Sequence, residues 1–86
     1  MWHVTPKEIR DANINTVKGI MIIQRALNQL GYMNAEKITG QNDMVTQNAI
    51  TRFQKEHSLP QTGFCGPLTK AKLIEQIKKY FNNKII

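Results

Sequence analysis

The sequence predicts an all-α fold, a three-helix orthogonal bundle with a short extra N-terminal helix, and three observations predict it. Apolar residues recur three and four apart in three separate stretches, the spacing that gathers them on one face of a helix. No alternating apolar and polar run is long enough to suggest a sheet. A turn of small residues leading into a helix occurs twice, as Gly40-Gln-Asn-Asp43-Met-Val-Thr46 and as Gly63-Phe-Cys-Gly66-Pro-Leu-Thr69. Two copies are too few for a solenoid, which needs about three stacked units to bury a continuous core, and they suit a pseudo-symmetric domain with one shared interior.

The elements follow in order. Thr5-Pro6-Lys7-Glu8 has the form of a capping box, with Pro6 pre-set for the first helical position, and predicts a short helix from Pro6 to about Ala12. Asn13-Ile14-Asn15 breaks it, so residues 1–15 read as an N-terminal extension in which Trp2 and His3 either dock on the domain or stay disordered. From Val17 to Leu30 the apolar set Val17, Ile20, Met21, Ile23, Ala26, Leu27 and Leu30 predicts an amphipathic helix, with Asn15 or Thr16 as its cap and Gly31 as its stop. Gly19 inside that helix costs about 1 kcal/mol against Ala, which implies that another backbone approaches closely there.

Residues 32–42 show no period and read as an ordered loop around Tyr32, Met33 and Ile38. The loop exceeds the usual connection of about 4–6 residues, which makes it the first candidate recognition surface. A second long helix is predicted from Asp43 as N-cap to about His57, with Val45, Ala49, Ile50 and Phe53 facing inward, and Leu59-Pro60 ends it. The third starts after Gly66 with Pro67 at its first position and carries the stripe Leu68, Leu73, Ile74, Ile77, Tyr80 and Phe81. The bundle domain is thus expected over 16–81, followed by a frayed tail at 82–86.

A chain of 86 residues is one domain near the lower limit for folding without staples, and 41% hydrophobic residues suffice for one small core. The single cysteine, Cys65, cannot form an internal disulfide, and with only His3 and His57 beside it no zinc spacing exists, so neither metal nor cofactor is expected. The apolar run Ile20–Ile23 is four residues, far below the roughly 20 that span a bilayer, and membrane insertion is not expected. The first six residues lack the basic and apolar regions of a secretory signal, which points to a mature domain or to another export route. A net charge of +6 would attract polyanions, but Arg occurs only at 10, 25 and 52 and the basic residues are not interleaved with aromatics, which disfavours nucleic acid.

The ordered anchors resemble the peptidoglycan-binding-like domain. They are Ile23-Gln24-x-x-Leu27-x-x-Leu30-Gly31-Tyr32, then Gly40 and Thr46-x-x-Ala49-Ile50-x-x-Phe53-Gln54, then Leu59-Pro60-x-x-Gly63-x-x-Gly66-Pro67-x-Thr69-x-x-x-Leu73. The match covers about Val17 to Ile77. Departures fall in the turns: Asp43 replaces a glycine, Asn42 an aromatic, and Thr39 and Thr62 the acidic residue often found before the glycines. The resemblance implies a three-helix module that does no chemistry itself and holds an attached wall hydrolase, carboxypeptidase or lysin on the stem peptide and glycan of peptidoglycan. It further implies a cell-wall, extracellular or phage-associated setting, with a monomer expected. A protein-interaction or assembly domain, phage structural or regulatory, that reuses the fold without wall binding is the alternative.

Peptidoglycan offers carboxylates, amides and N-acetyl groups, which call for amide or backbone donors and an aromatic face. The starts of the last two helices carry unpaired N–H groups and a positive dipole end, and built by the same phrase they could bracket a groove. Asp43 reads as an N-cap that would compete with an anion, leaving Gly66 to Thr69 the better anion site. Thr46 reads as structural, and Thr69 reads first as structural and second as a contact. Gln24 and Gln54 read as buried amides that tie loop backbones together. Tyr32 either lines the site or plugs the core. Asn34, Gln41, Asn42 and Gln47 are the candidate amide contacts, and Phe64, with no core partner evident in sequence, is the candidate aromatic face. Cys65 beside a helix start has a setting that could lower a thiol pKa, yet no residue near His57 in sequence orients it as a base, so no catalytic residue is assigned.

Overall fold

The computed structural model describes residues 3–85, with side chains through Asn82, so Trp2 lies outside the described residues. The elements are α1 (Pro6–Asp11), α2 (Val17–Gln29), a 3-10 turn (Ala35–Lys37), α3 (Met44–Glu56) and α4 (Pro67–Ile85), with no strand among the described residues. The α-helical bundle is the one the periodicity predicts.

Local chemistry starts each helix. In α1 the Thr5 hydroxyl accepts from the Glu8 amide and the Glu8 carboxylate accepts from the Thr5 amide, a closed capping box. Thr16 caps α2 by accepting from the Gly19 amide at 3.0 Å, and Asp43 caps α3 by accepting from the Thr46 amide at 3.0 Å. Helix α4 continues to Ile85, beyond Phe81 where a frayed tail was expected. No glycine or proline interrupts 82–85, so nothing in the local chemistry stops the helix.

One interior joins all four helices. Ile23, Ala26 and Leu27 of α2, Ile50 and Phe53 of α3, and Leu73 and Ile77 of α4 meet there, together with Val4 and Ile9 from the N-terminal segment. Val4 and Ile9 are fully buried, so this segment is part of the core packing. Its main chain is clasped at Val4, whose N–H donates to Gln29 Oε1 at 2.7 Å and whose carbonyl accepts from Gln29 Nε2 at 3.3 Å. At its other end Lys70 Nζ donates to the Ala12 carbonyl. His3 lies edge-on to the Tyr80 ring, centroids 5.5 Å apart, and so docks on α4.

Three residues predicted to face inward do not. Val17 is 64% exposed, Val45 41% and Leu68 65%. Each lies in the first turn of its helix, α2, α3 and α4 respectively, where the helix end extends past the core that later turns cover. Gly19 fulfils its expectation: a Cβ built there would lie 1.7 Å from the Asn13 carbonyl oxygen. The Asn13–Thr16 turn therefore sits directly on the α2 backbone.

This contact sets the sign of a substitution. An exposed helical Gly→Ala gains about 1 kcal/mol from propensity, but overpacking of this kind costs roughly 1–3 kcal/mol. Gly19→Ala is expected to lower the urea midpoint of the domain, and a raised midpoint would contradict the close approach.

Candidate functional site

Each repeated phrase folds into a corner held by one buried glutamine. Gln24, wholly buried on α2, accepts at Oε1 from the Thr39 and Gly40 amides at 3.0 and 2.8 Å. Its Nε2 donates to the Gln41 carbonyl at 3.0 Å and to Thr46 Oγ1 at 2.8 Å. Both donors and both acceptor sites of the amide are thereby used. Gln54, on α3, repeats the pattern: Oε1 accepts from the Gly63 amide at 3.1 Å, and Nε2 donates to the Phe64 carbonyl and Thr69 Oγ1, both at 2.9 Å, and to Thr62 Oγ1 at 3.1 Å.

The glycines, the carbonyls after them and the helix-start threonines match in role, whereas Thr39 donates its amide to Gln24 and Thr62 accepts from Gln54 at its hydroxyl. Gly40 and Gly63 take φ of +81° and +77°, the left-handed region in which a side chain is strained, and this bend aims their amides at the glutamine oxygens. Thr46 and Thr69, 1% and 5% exposed, spend their hydroxyls inside the corners, which supports the structural reading of both. The corners differ at the residue that starts the next helix. Asp43 accepts at Oδ1 from the Thr46 hydroxyl at 2.8 Å as well as from its amide, and these two hydrogen bonds hold its carboxyl below the usual carboxylate range. The α3 start thus carries its own anion, whereas Gly66 leaves the α4 start without one.

The corners meet across a cleft of about 160 Å³. Ile23, Ile50 and Cys65, all buried, form its floor. Asn42 and Thr46 of the first corner and Phe64 of the second stand on its walls, with Ile14 and Asn15 from the segment before α2. Gln47 lies beside both corners, for its Nε2 donates to the Asn42 carbonyl at 3.2 Å while its carbonyl and Cβ are, with the nearer Thr51 hydroxyl, the neighbours of Gly63 in the other corner. Phe64, 57% exposed, also borders a second shallow cleft of about 140 Å³ that runs over Gly66, Leu68 and Thr69 at the start of α4. A larger cleft, about 410 Å³, lies between α1 and the start of α2, with the Lys7–Asp11 ion pair on its wall, and takes nothing from either corner.

Of the candidate contacts, Asn42, Phe64, Gly66 and Thr69 line these two clefts, and Gln47 lies behind them, bonded to the Asn42 carbonyl. Gln41 contributes its main-chain carbonyl to the Gln24 lock, and its side chain is exposed. Tyr32 and Asn34 stand apart. The Tyr32 ring packs edge-on against Phe53 at 5.3 Å, its hydroxyl donates to Glu56 at 3.1 Å, and Arg52 sits 5.1 Å over its face. This group belongs to the C-terminal part of α3, about 9–15 Å along the helix from Thr46 at 1.5 Å per residue. Tyr32 packs half-buried against the core and borders a separate shallow cleft with Glu56 and His57, and exposed Asn34 precedes the 3-10 turn. The Asn15 and Ile14 wall was missed because the segment before α2 reads as an extension; the Gly19 signal pointed to it.

Cys65 has no activated thiol. Burial pushes it up to about 11, outweighing the opposing pull of Lys70, and this corrects the expectation that the helix start would lower it. His57, whose ring lies 4.4 Å from that of Phe53, is at the far end of α3. Among the described residues no group of three or more His, Cys, Asp or Glu is placed to hold a metal. No helix among them is long and apolar enough to cross a membrane.

The family model described as "Putative peptidoglycan binding domain" matches residues 16–73, which include both corners and both glutamines. No curated protein and no solved structure gave a match. The match spans more than half of the chain, and the chain belongs to this family.

Removing one lock tests the corner. Gln54→Leu leaves the Gly63 amide without its partner, at about 1–3 kcal/mol for a buried group, strips the Thr69 hydroxyl of the bond it accepts, and leaves the Phe64 carbonyl with only the 3.3 Å bond from the Thr62 hydroxyl. The expected loss is about 3 kcal/mol, a fall in Tm of roughly 15 °C for a domain of this size. A change under about 3 °C would show that the amide does not hold the corner.

Proposed function

We propose that this member of the peptidoglycan-binding family is a non-catalytic module that holds an associated activity, such as a wall hydrolase or a lysin, on peptidoglycan, and that the cleft between the two corners is its binding surface. The observation that carries the reading is the cleft itself. Two rigid corners of the family-matched segment converge on an aliphatic floor with an amide, Asn42, and an exposed aromatic ring, Phe64, at its edge. Exposed aromatic rings on small domains mark contact surfaces when other apolar groups surround them, and Met44 and Leu68 are exposed at the same helix starts. A buried thiol whose pKa burial pushes up to about 11 supports the non-catalytic reading. The setting that follows is the cell wall.

The same exposed apolar residues favour a second reading, a protein partner seated on the corners in place of wall polymer. The two separate in one experiment. Incubated with purified sacculi, the domain is expected to sediment with them and to stay bound in about 0.3 M salt, where the Debye length is only about 6 Å. Phe64→Ala, which removes an exposed ring, is expected to keep its thermal transition and lose most of the bound fraction. Absence of sedimentation by the unaltered domain would overturn wall binding and favour the protein partner.

A further inference from the structure

Every side chain that lines the cleft between the corners is uncharged. The polar ones are two asparagines and a threonine whose hydroxyl is committed to Asp43 and Gln24, and the others are aliphatic, aromatic or a protonated thiol. An ionised carboxylate or ammonium group placed there would lose hydration without gaining a counter-charge. A methyl or other small alkyl group beside an amide meets its needs, with the alkyl part on Ile23 and Ile50 and the amide between Asn15 and Asn42. The cleft volume of about 160 Å³ suits one such unit, being small beside the roughly 300 Å³ at which sites for drug-sized ligands begin.

One wall of this cleft lies before residue 16, where the family match starts. Ile14 and Asn15 are exposed, yet the turn that carries them is fixed. The Asn15 amide donates to Asn13 Oδ1 at 2.9 Å, and the Thr16 amide and hydroxyl donate to the Asn13 carbonyl at 3.0 and 2.7 Å. Gly19 lets that carbonyl rest on α2, and the buried Val4 and Ile9 with the Lys70 bond at Ala12 hold the rest of the segment.

We propose that the N-terminal segment completes the binding site, Ile14 and Asn15 forming the wall that makes the cleft select a neutral unit of one small alkyl group and one amide. This rests on the cleft being the wall-binding surface. Peptidoglycan supplies such a unit in two places, the alanyl residues of the stem and the N-acetyl groups of the glycan. Asn15 is a specificity residue here: its amide pairs with the ligand amide, and a charge in its place opposes a neutral ligand.

The test uses the full chain and two probes, an alanyl stem peptide without sugar and an N-acetylated disaccharide without peptide. Amide signals of Ile14, Asn15, Asn42 and Phe64 are followed together during titration. At least one probe is expected to shift all four, and which one does identifies the source of the unit. Asn15→Asp is expected to weaken binding to that probe and to sacculi tenfold or more, Asn15→Ala about fivefold, and Lys78→Gln not at all, each with an unchanged thermal transition. If Phe64→Ala abolishes binding while both Asn15 variants bind as the unaltered chain does, the N-terminal wall is overturned and the cleft stands. If neither probe shifts these signals, or Phe64→Ala binds normally, the cleft reading fails and this inference with it.

Discussion

A primary amide has two donors and two acceptor sites, and a buried glutamine that fills all of them can fix a loop that has no secondary structure of its own. Gln24 fills all four in the first corner, and Gln54 holds the second with both donors and one accepted bond, from the Gly63 amide. Each reaches from the middle or end of one helix to the start of the next, so its bonds join two helices through the turn between them. The alternative for those turn amides and carbonyls would be burial without partners, at about 1–3 kcal/mol each, a large share of the stability of a small domain. Left-handed glycines, inward threonine hydroxyls and the placing of α3 and α4 all follow from satisfying one amide in each corner.

The duplication stops where the amide does. Ile77 occupies on α4 the place that Gln54 holds on α3, and it is wholly buried in the core. An apolar side chain there has nothing with which to hold a third corner, and it closes the interior instead. At the other end the core is closed by Val4 and Ile9, clasped by a different glutamine, Gln29. The two corners are consequently neighbours on α3, whose N-terminal half supplies Thr46 to one and borders Gly63 of the other through Gln47 and Thr51. That adjacency creates the cleft.

Much of this was legible in sequence because it depends on local spacing. The helices came from apolar period and caps, and the roles of Gln24, Gln54, Thr46 and Thr69 came from their equivalent places in the repeat. What was not legible depends on where each element ends in space. Val17, Val45 and Leu68 fit their helical stripes, but period alone does not say that the first turn of each helix projects beyond the core. Tyr32 adjoins the long loop in sequence, yet it packs on Phe53 at the opposite end of α3 from the cleft. Cys65 sits by a helix start, which lowers a thiol pKa, and is also buried, which raises it; only the packing decides that burial prevails. The Ile14 and Asn15 wall needs the Gly19 contact, which sequence marks as a close approach without naming the partner.

The central claim, that two side-chain amides hold the corners in place, is tested most directly by hydrogen exchange at the Gly40 and Gly63 amides, which donate to Gln24 and Gln54. Both glycines lie outside any helix, so without the locks their exchange would resemble that of other loop amides. The account predicts protection at the level of the core amides of Leu27 and Phe53, lost only when the whole domain unfolds. Exchange of either glycine at the rate of the exposed loop amides near Glu36 would contradict it.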